Sequence, residues 1–353
     1  MKSKRSVYFY ILTAAIFSIV YVLFATRPLG TEYQFKPEWR IDVTNPSVKP
    51  EKISESELFF KLGQTMGYFT QDGEVTNFIS YPFKSTITKD NYISYNSNNN
   101  SAVIYKKDGS VQGKINISGY PMLDENRIFI FLPGGASFIM CREDGTRNWE
   151  YSGTIPITAF DSSKTAVAVG FADGNICLLN LEGSTLQKFS AGGSSYAVIS
   201  GIAVSSDANY VAAICGHEKQ RLILADTSST HSKIVFHEFL DSDDSFQKLV
   251  KFSNDNSFVY YAAGNNFAAI DVKNTKSKKI NIKGNAISLQ ENKTNIFLLT
   301  NQNDNFNVYI IEKDCMKTGY FSFKAKNAYI QANEEKLYVG RDSSISCIKI
   351  SKE

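Results

Sequence analysis

Three features of the 353-residue chain predict an all-β fold: a β-propeller of about eight four-stranded blades behind one N-terminal transmembrane helix. Short apolar runs recur about every 40 residues, Gly-containing tight turns recur at nearly the same spacing, and one uncharged stretch precedes them all. Composition agrees. Hydrophobic residues at 43% and charged residues at 21% suit a chain with a buried core, and 25 Phe with 19 Tyr against 8 Pro favours strands. With 38 Lys+Arg against 35 Asp+Glu the net charge is only +3, and no dense basic block follows the first residues, which speaks against nucleic acid as a partner.

Residues 1–6 carry Lys2, Lys4 and Arg5 and read as a cytoplasmic tail. From Val7 to Ala25 no residue is charged. As a helix rising about 1.5 Å per residue, this stretch approaches the ~30 Å hydrocarbon core and is expected to cross a membrane as an uncleaved signal anchor. A cleavable leader would place small residues before the cut, which Leu23 does not provide. Three cations before the span against Arg27 just after it predict a cytoplasmic N-terminus, with the remainder on the periplasmic or extracellular side. The first cysteine is Cys141, so the helix rather than a lipid-modified cysteine is expected to be the anchor. Residues 26–38 read as a tether and 39–353 as the propeller.

The repeat begins with apolar runs opening near Leu58, Tyr92, Ile128, Ala166, Tyr210, Phe258, Ile296 and Leu337. Each is followed by a second run, at 67–70, 102–105, 138–141, 175–180, 221–225, 267–271, 307–311 and 345–349. Asp72-Gly73, Asp108-Gly109 and Asp144-Gly145 stand 36 residues apart, with Glu182-Gly183 following 38 later; Asp-Gly tolerates the positive φ of tight hairpins. These turns lead into a third run, and turns such as Phe160-Asp161-Ser162-Ser163 and Val204-Ser205-Ser206-Asp207 precede the first, which makes four strands per unit. Such units cannot each close a core but can pack face to face around an axis. The last unit ends after its third strand, so Trp39-Arg40-Ile41-Asp42-Val43 is expected to pair with 345–350 and close the ring. Eight blades result, or seven if 58–72 completes a neighbour. Within the second unit, Gly109 is expected at positive φ, and Gly113, inside a strand, is expected to tolerate Ala.

Phe252-Ser253-Asn254-Asp255-Asn256-Ser257-Phe258 resembles the serine-aspartate turn of WD40-like repeats. Glu143-Asp144-Gly145-Thr146-Arg147-Asn148-Trp149 is similar to the repeats of quinoprotein-like (PQQ-repeat-type) propellers, in which Trp follows Gly by four. At the matching positions this chain has Asn77, Gly113 and Gln187, so the resemblance is one of fold over residues 39–353. In overall design it extends to the quinoprotein-like scaffold of outer-membrane assembly factors, with a helix replacing their lipid. It implies a non-enzymatic, membrane-anchored propeller that binds or scaffolds other proteins in the bacterial envelope.

No residue set predicts catalysis, a cofactor or a metal. His217, His231 and His237 all fall between Cys215 and Leu249, at spacings that fit no zinc signature, and no G-x-S-x-G elbow accompanies them. Asp241-Ser242-Asp243-Asp244 starts like a calcium loop, but Phe246 stands where Gly is required. Trp39 and Trp149 are the only indoles available to wall a quinone, and no adjacent Cys pair exists. Cys141, Cys177, Cys215, Cys315 and Cys347 are odd in number, without C-x-x-C, and read as core thiols. Pro133-Gly134-Gly135 reads as a hairpin turn, and 96–101, 217–246 and 302–305 as the longest polar loops. The alternative function is a ligand sensor or enzyme in the central channel, which carboxylates or histidines pointing into that channel would mark. A eukaryotic type II membrane protein is a further alternative, in which Asn99, Asn116 and Asn292 would begin glycosylation sequons.

Overall fold

A computed structural model describes residues 2–25, 33–96, 100–125, 127–192, 197–217, 219–242 and 246–352. Eight antiparallel sheets follow one another as blades of a propeller, seven of them four-stranded and one three-stranded among the described residues. Blade 1 covers 58–80, blade 2 84–115, blade 3 120–151, blade 4 157–190, blade 5 199–239, blade 6 250–281, blade 7 285–324, and blade 8 328–352 together with 33–42.

Blade 4 shows why the apolar runs were legible. Its second strand, Ala166–Phe171, is buried at every position and its third, Asn175–Asn180, at all but the ends, because both faces of a blade pack on neighbouring blades. The fourth strand, Thr185–Ser190, lies at the rim and is largely exposed. Turns between third and fourth strands then place Gly73, Gly109, Gly145 and Gly183 at φ of +86°, +85°, +85° and +83°. Each turn is closed by the same backbone bond, as in Lys106 N to Ser110 O and Arg142 N to Thr146 O.

The ring closes as expected. Strand Tyr33–Asp42 pairs antiparallel with Ser344–Lys352, Trp39 opposite Cys347 and Ile41 opposite Ile345. It begins six residues before Trp39, so 33–38, assigned to the tether, belong to the blade; 26–32 lie outside the described residues.

Blade 1 departs from the expected four strands, having only Leu58–Leu62, Thr65–Phe69 and Val75–Ser80. Its turn at 70–74 matches the outer hairpin turns of its neighbours, so the strand it lacks is the innermost. The residues preceding Leu58 form instead a 3-10 helix, Pro50–Glu55, where Pro50 starts the helix and Lys49 and Lys52 pair with Glu74 at the rim. Leu58–Leu62 therefore stands nearest the axis. Phe59 N donates to Gln331 Oε1 in blade 8 at 3.4 Å, and Lys61 Nζ to Ser85 O in blade 2 at 2.5 Å.

The N-terminal segment is a helix, Lys2–Ala25, and its described side chains, at 7–22, are all exposed. Among the described residues no helix is long and apolar enough to cross a membrane. For the expected span from Val7 to Ala25, the structure therefore supplies helix without establishing a crossing.

Candidate functional site

Alternating strand directions give the central channel two different mouths. First strands run from the linkers that join blades toward the turns that begin second strands, so one mouth is ringed by turns and the other by linkers. The turn mouth is polar, and its side chains join neighbouring blades. Asp124 accepts from Ser162 Oγ and pairs with Arg127 at 3.2 Å, and Arg127 also donates to Ser163 O. Asp161 Oδ2 accepts Val204 N at 2.8 Å across blades 4 and 5. Asn256 bonds Ser206 N and Ser206 Oγ across blades 5 and 6. Glu291 accepts Asn254 N at 2.9 Å and pairs with Lys313, and Asn292 Nδ2 reaches Glu334 O at 2.6 Å.

The serine-aspartate turns belong to this mouth. Ser253 Oγ donates to Asp255 Oδ1 at 2.6 Å and accepts Phe258 N; Ser205, Asp207 and Tyr210 repeat the arrangement one blade earlier. Hydrogen bonds from Ser253 and Ser257 hold the Asp255 carboxyl down to about 2. Asp161 shows the opposite effect: burial, reinforced by the nearby Asp124 charge, raises it to about 7. Asp161 and Asp124 both carry bonds between blades, whereas Asp255 is held within its own turn.

At the rim a second set of links explains the single Gly-x-x-x-Trp match. Trp149 Nε1 donates to Leu181 O of the next blade at 2.7 Å, its indole lying on Gly183, where an added Cβ would come within 2.6 Å of the ring. Trp39 repeats this on blade 1, donating to Gln71 O at 3.0 Å over Gly73. Asn77 Nδ2 donates to Lys107 O, Gln112 Nε2 to Glu143 O, and Gln187 Nε2 to Thr227 O, so amides replace the indole while keeping the donor. Gly113 lies directly under the Asp144 turn: a Cβ there would sit 2.2 Å from Asp144 O, which corrects the expectation that Ala is tolerated.

The linker mouth is different. Phe83, Tyr120, Ile155, Phe246 and Ile287 are 38–70% exposed, and each lies just before or at the start of a blade's first strand. We call these five apolar side chains, one each at blades 2, 3, 4, 6 and 7, the collar. Lys84 sits over Tyr120 with Nζ 5.1 Å from the ring centroid. From Ile155 the collar continues into a cleft of about 480 Å³ between blades 3 and 4, walled by Tyr151, Phe171, Phe189 and Lys188. The sequence reading missed the collar; its signal was an apolar residue beside Pro or Gly before a first strand, as in Tyr81-Pro82-Phe83, Gly119-Tyr120 and Ile155-Pro156.

The histidines do not converge. His217 lies on a linker-side loop and His231 on a turn, while His237 sits within the strand Lys233–Phe239 opposite Ile223. Two strands, Arg221–Asp226 and Lys233–Phe239, thus cross what read as one long polar region, 217–246. Among the described residues no group of three or more His, Cys, Asp or Glu could hold a metal. Asp243, Asp244 and Asn99 lie outside the described residues. All five cysteines are free and buried, and burial raises Cys141 and Cys315 to about 11 and Cys347 to about 12, so none is poised as a thiolate. Gly134 and Gly135, at φ of +95° and +70°, make the hairpin turn expected of them.

An uncharacterised protein of Treponema pallidum (strain Nichols) is 25% identical over 362 residues, spanning 99% of this chain and 96% of that protein. The fold is similar to that of BamB from Moraxella catarrhalis, with a TM-score of 0.63 at 10% identity over 90% of this chain and 100% of that one. A chain in a crystal structure of the mitotic checkpoint complex matches at a TM-score of 0.54 and 11% identity, over 92% of this chain and 94% of that one. A family model described as beta-propeller protein matches residues 1–353, and the chain belongs to that family.

Proposed function

We propose that this protein is a non-enzymatic, membrane-anchored propeller that binds a partner protein on the extracytoplasmic side, using the linker mouth of its channel. The collar of Phe83, Tyr120, Ile155, Phe246 and Ile287 carries this reading. Exposed apolar side chains are unremarkable singly, but a set ringing one mouth offers the apolar centre that an interface buries. Recurrent linkers on a stiff ring hold it in place, and the fold shared with BamB is compatible with such a role. Anchoring through Val7 to Ala25 is supported by the uncharged sequence, the flanking cations and the exposure of every described side chain of the helix.

A channel enzyme or sensor is the second reading, favoured by the elevated Asp161 beside Asp124. Against it, Asp161 is engaged by Val204 N, and Asp124 by Ser162 and Arg127. A photo-crosslinking residue placed at Phe246 in the membrane-embedded protein tests the binding reading. One defined protein adduct is expected there and none from Val111 on the outer rim; adducts indifferent to position would refute it. Protease added to intact spheroplasts should degrade 33–353, and protection of that region would refute the topology.

A further inference from the structure

Blade 1 leaves a basic group at the axis without a counter-charge. Lys61 is water-exposed, yet surrounding protein lowers its pKa by desolvation, as expected for a side chain in a concave niche. Among the described residues its ammonium meets a carbonyl, Ser85 O at 2.5 Å, and the Tyr81 ring, 5.8 Å from the centroid. Lys84, next to Ser85 in sequence, has its ammonium over Tyr120, and neither lysine forms an ion pair among the described residues. The Ser85 hydroxyl, on the residue whose carbonyl Lys61 reaches, is buried without a hydrogen-bond partner among the described residues. The acidic groups of adjoining segments point elsewhere: Asp342 accepts Lys326 N and Asn327 N, and Asp90 lies at the turn end of its blade. A cation partly withdrawn from water is costly unless an anion meets it; exposed Phe83 adjoins Lys84 in sequence, and exposed Tyr120 lies under the Lys84 ammonium.

We infer that Lys61 and Lys84 form a carboxylate-binding end of the linker mouth, and that the partner presents there an extended segment alternating acidic with large apolar residues. This rests on the binding role proposed for the mouth and adds the partner's chemistry. Two cations without counter-ions select the carboxylate, and the flanking aromatic rings select its apolar neighbours. The missing strand creates the niche by bringing Lys61 to the axis.

The test uses the full chain in detergent and fluorescence anisotropy with a labelled seven-residue peptide alternating Glu or Asp with Phe or Leu. A second peptide has Gln and Asn in place of the acids. The acidic peptide is expected to bind and the amide peptide to bind at least about tenfold more weakly. Lys61→Gln with Lys84→Gln should abolish that preference, and Lys61→Arg with Lys84→Arg should retain it, with unchanged thermal melts showing that the variants fold. If Phe83→Ser and Phe246→Ser weaken binding while the Gln variants do not, the mouth stands and the carboxylate site falls. If none of these substitutions matters, or the acidic peptide does not bind, both fall.

Discussion

The junction between blades 4 and 5 and the seam formed by blades 8, 1 and 2 solve the same packing problem by different means. Between blades 4 and 5 the buried core is aliphatic apart from Cys215, with Ala159, Ala168, Ile199, Val211 and Ala213 among its members, contributed by four-stranded sheets. Between blades 1 and 2 it is Met66, Tyr68, Tyr81 and Tyr92. Between blades 8 and 1, Trp39, Phe69 and Tyr338 meet at centroid distances of 5.6–6.2 Å. Large rings fill the volume around a blade that lacks a strand. The regular side needs only the repeat, whereas the seam depends on a strand more than 300 residues away in sequence from the one it pairs with.

The largest test of this contrast removes the closing strand. Deleting 1–32 should leave cooperative unfolding intact, whereas deleting 1–42 bares the edge of Ser344–Lys352 and uncovers Gly73. We expect a loss above about 5 kcal/mol and a fall in Tm of at least about 7 °C. Equal melting temperatures for the two deletions would show that the seam does not depend on the strand.

Next in size is Gly113→Ala. With the Asp144 carbonyl 2.2 Å from the new methyl, blades 2 and 3 must part, at about 3 kcal/mol. Gly109→Ala would bring its methyl into ordinary contact with the Asn77 amide at 3.8 Å, so its cost comes from φ of +85°, about 1–2 kcal/mol. Urea denaturation giving the reverse order would place the blade contact elsewhere.

This pair also marks the boundary of what the sequence disclosed. Periodic apolar runs and Asp-Gly turns are local, so strands, blade count and ring closure by Trp39 were legible. Gly113 could not be judged, because its neighbour is the turn of the following blade. Nor could Trp39 be recognised as the counterpart of Trp149, since no Gly precedes it by four and the equivalence arises only when the ring closes. The missing strand of blade 1 escaped because Leu58 opens an ordinary second strand and its turn keeps the repeat spacing. The collar escaped because exposure depends on the assembled ring.

The two regions should respond oppositely to pH. On the regular side Asp161, held up to about 7 against an unfolded value of ~3.9, binds a proton in the native state and not in the unfolded state between those limits. Stability from this group therefore declines as pH rises from 4 to 7 and levels off above, by about 2 kcal/mol between pH 5 and 7. Asp161→Asn should remove that slope. At the seam, hydrogen bonds from Lys49 and Lys52 lower Glu74, and one from Lys336 lowers Glu38. Their contribution is present above the ordinary carboxylate range and is lost as pH falls through their native values. Denaturation midpoints of wild type and Asp161→Asn from pH 4 to 8 that run parallel would contradict the assignment.

The finest comparison sets Trp39→Phe against Trp149→Phe. Each change removes an indole N–H from a turn carbonyl and shortens the cover on a glycine, so each should cost about 1–2 kcal/mol. Their environments are not equal. Trp149 joins blades that are consecutive in the chain and are also tied by Asp124 to Ser162 and by Arg127 to Ser163 O. Trp39 joins blades 8 and 1, where the link nearest the axis is the 3.4 Å bond from Phe59 N to Gln331. With less to hold the junction when the indole goes, Trp39→Phe should cost about 1 kcal/mol more, read as a lower urea midpoint at unchanged slope. A Trp149→Phe cost that matches or exceeds it would mean that the aromatic packing of the seam compensates fully for the absent strand.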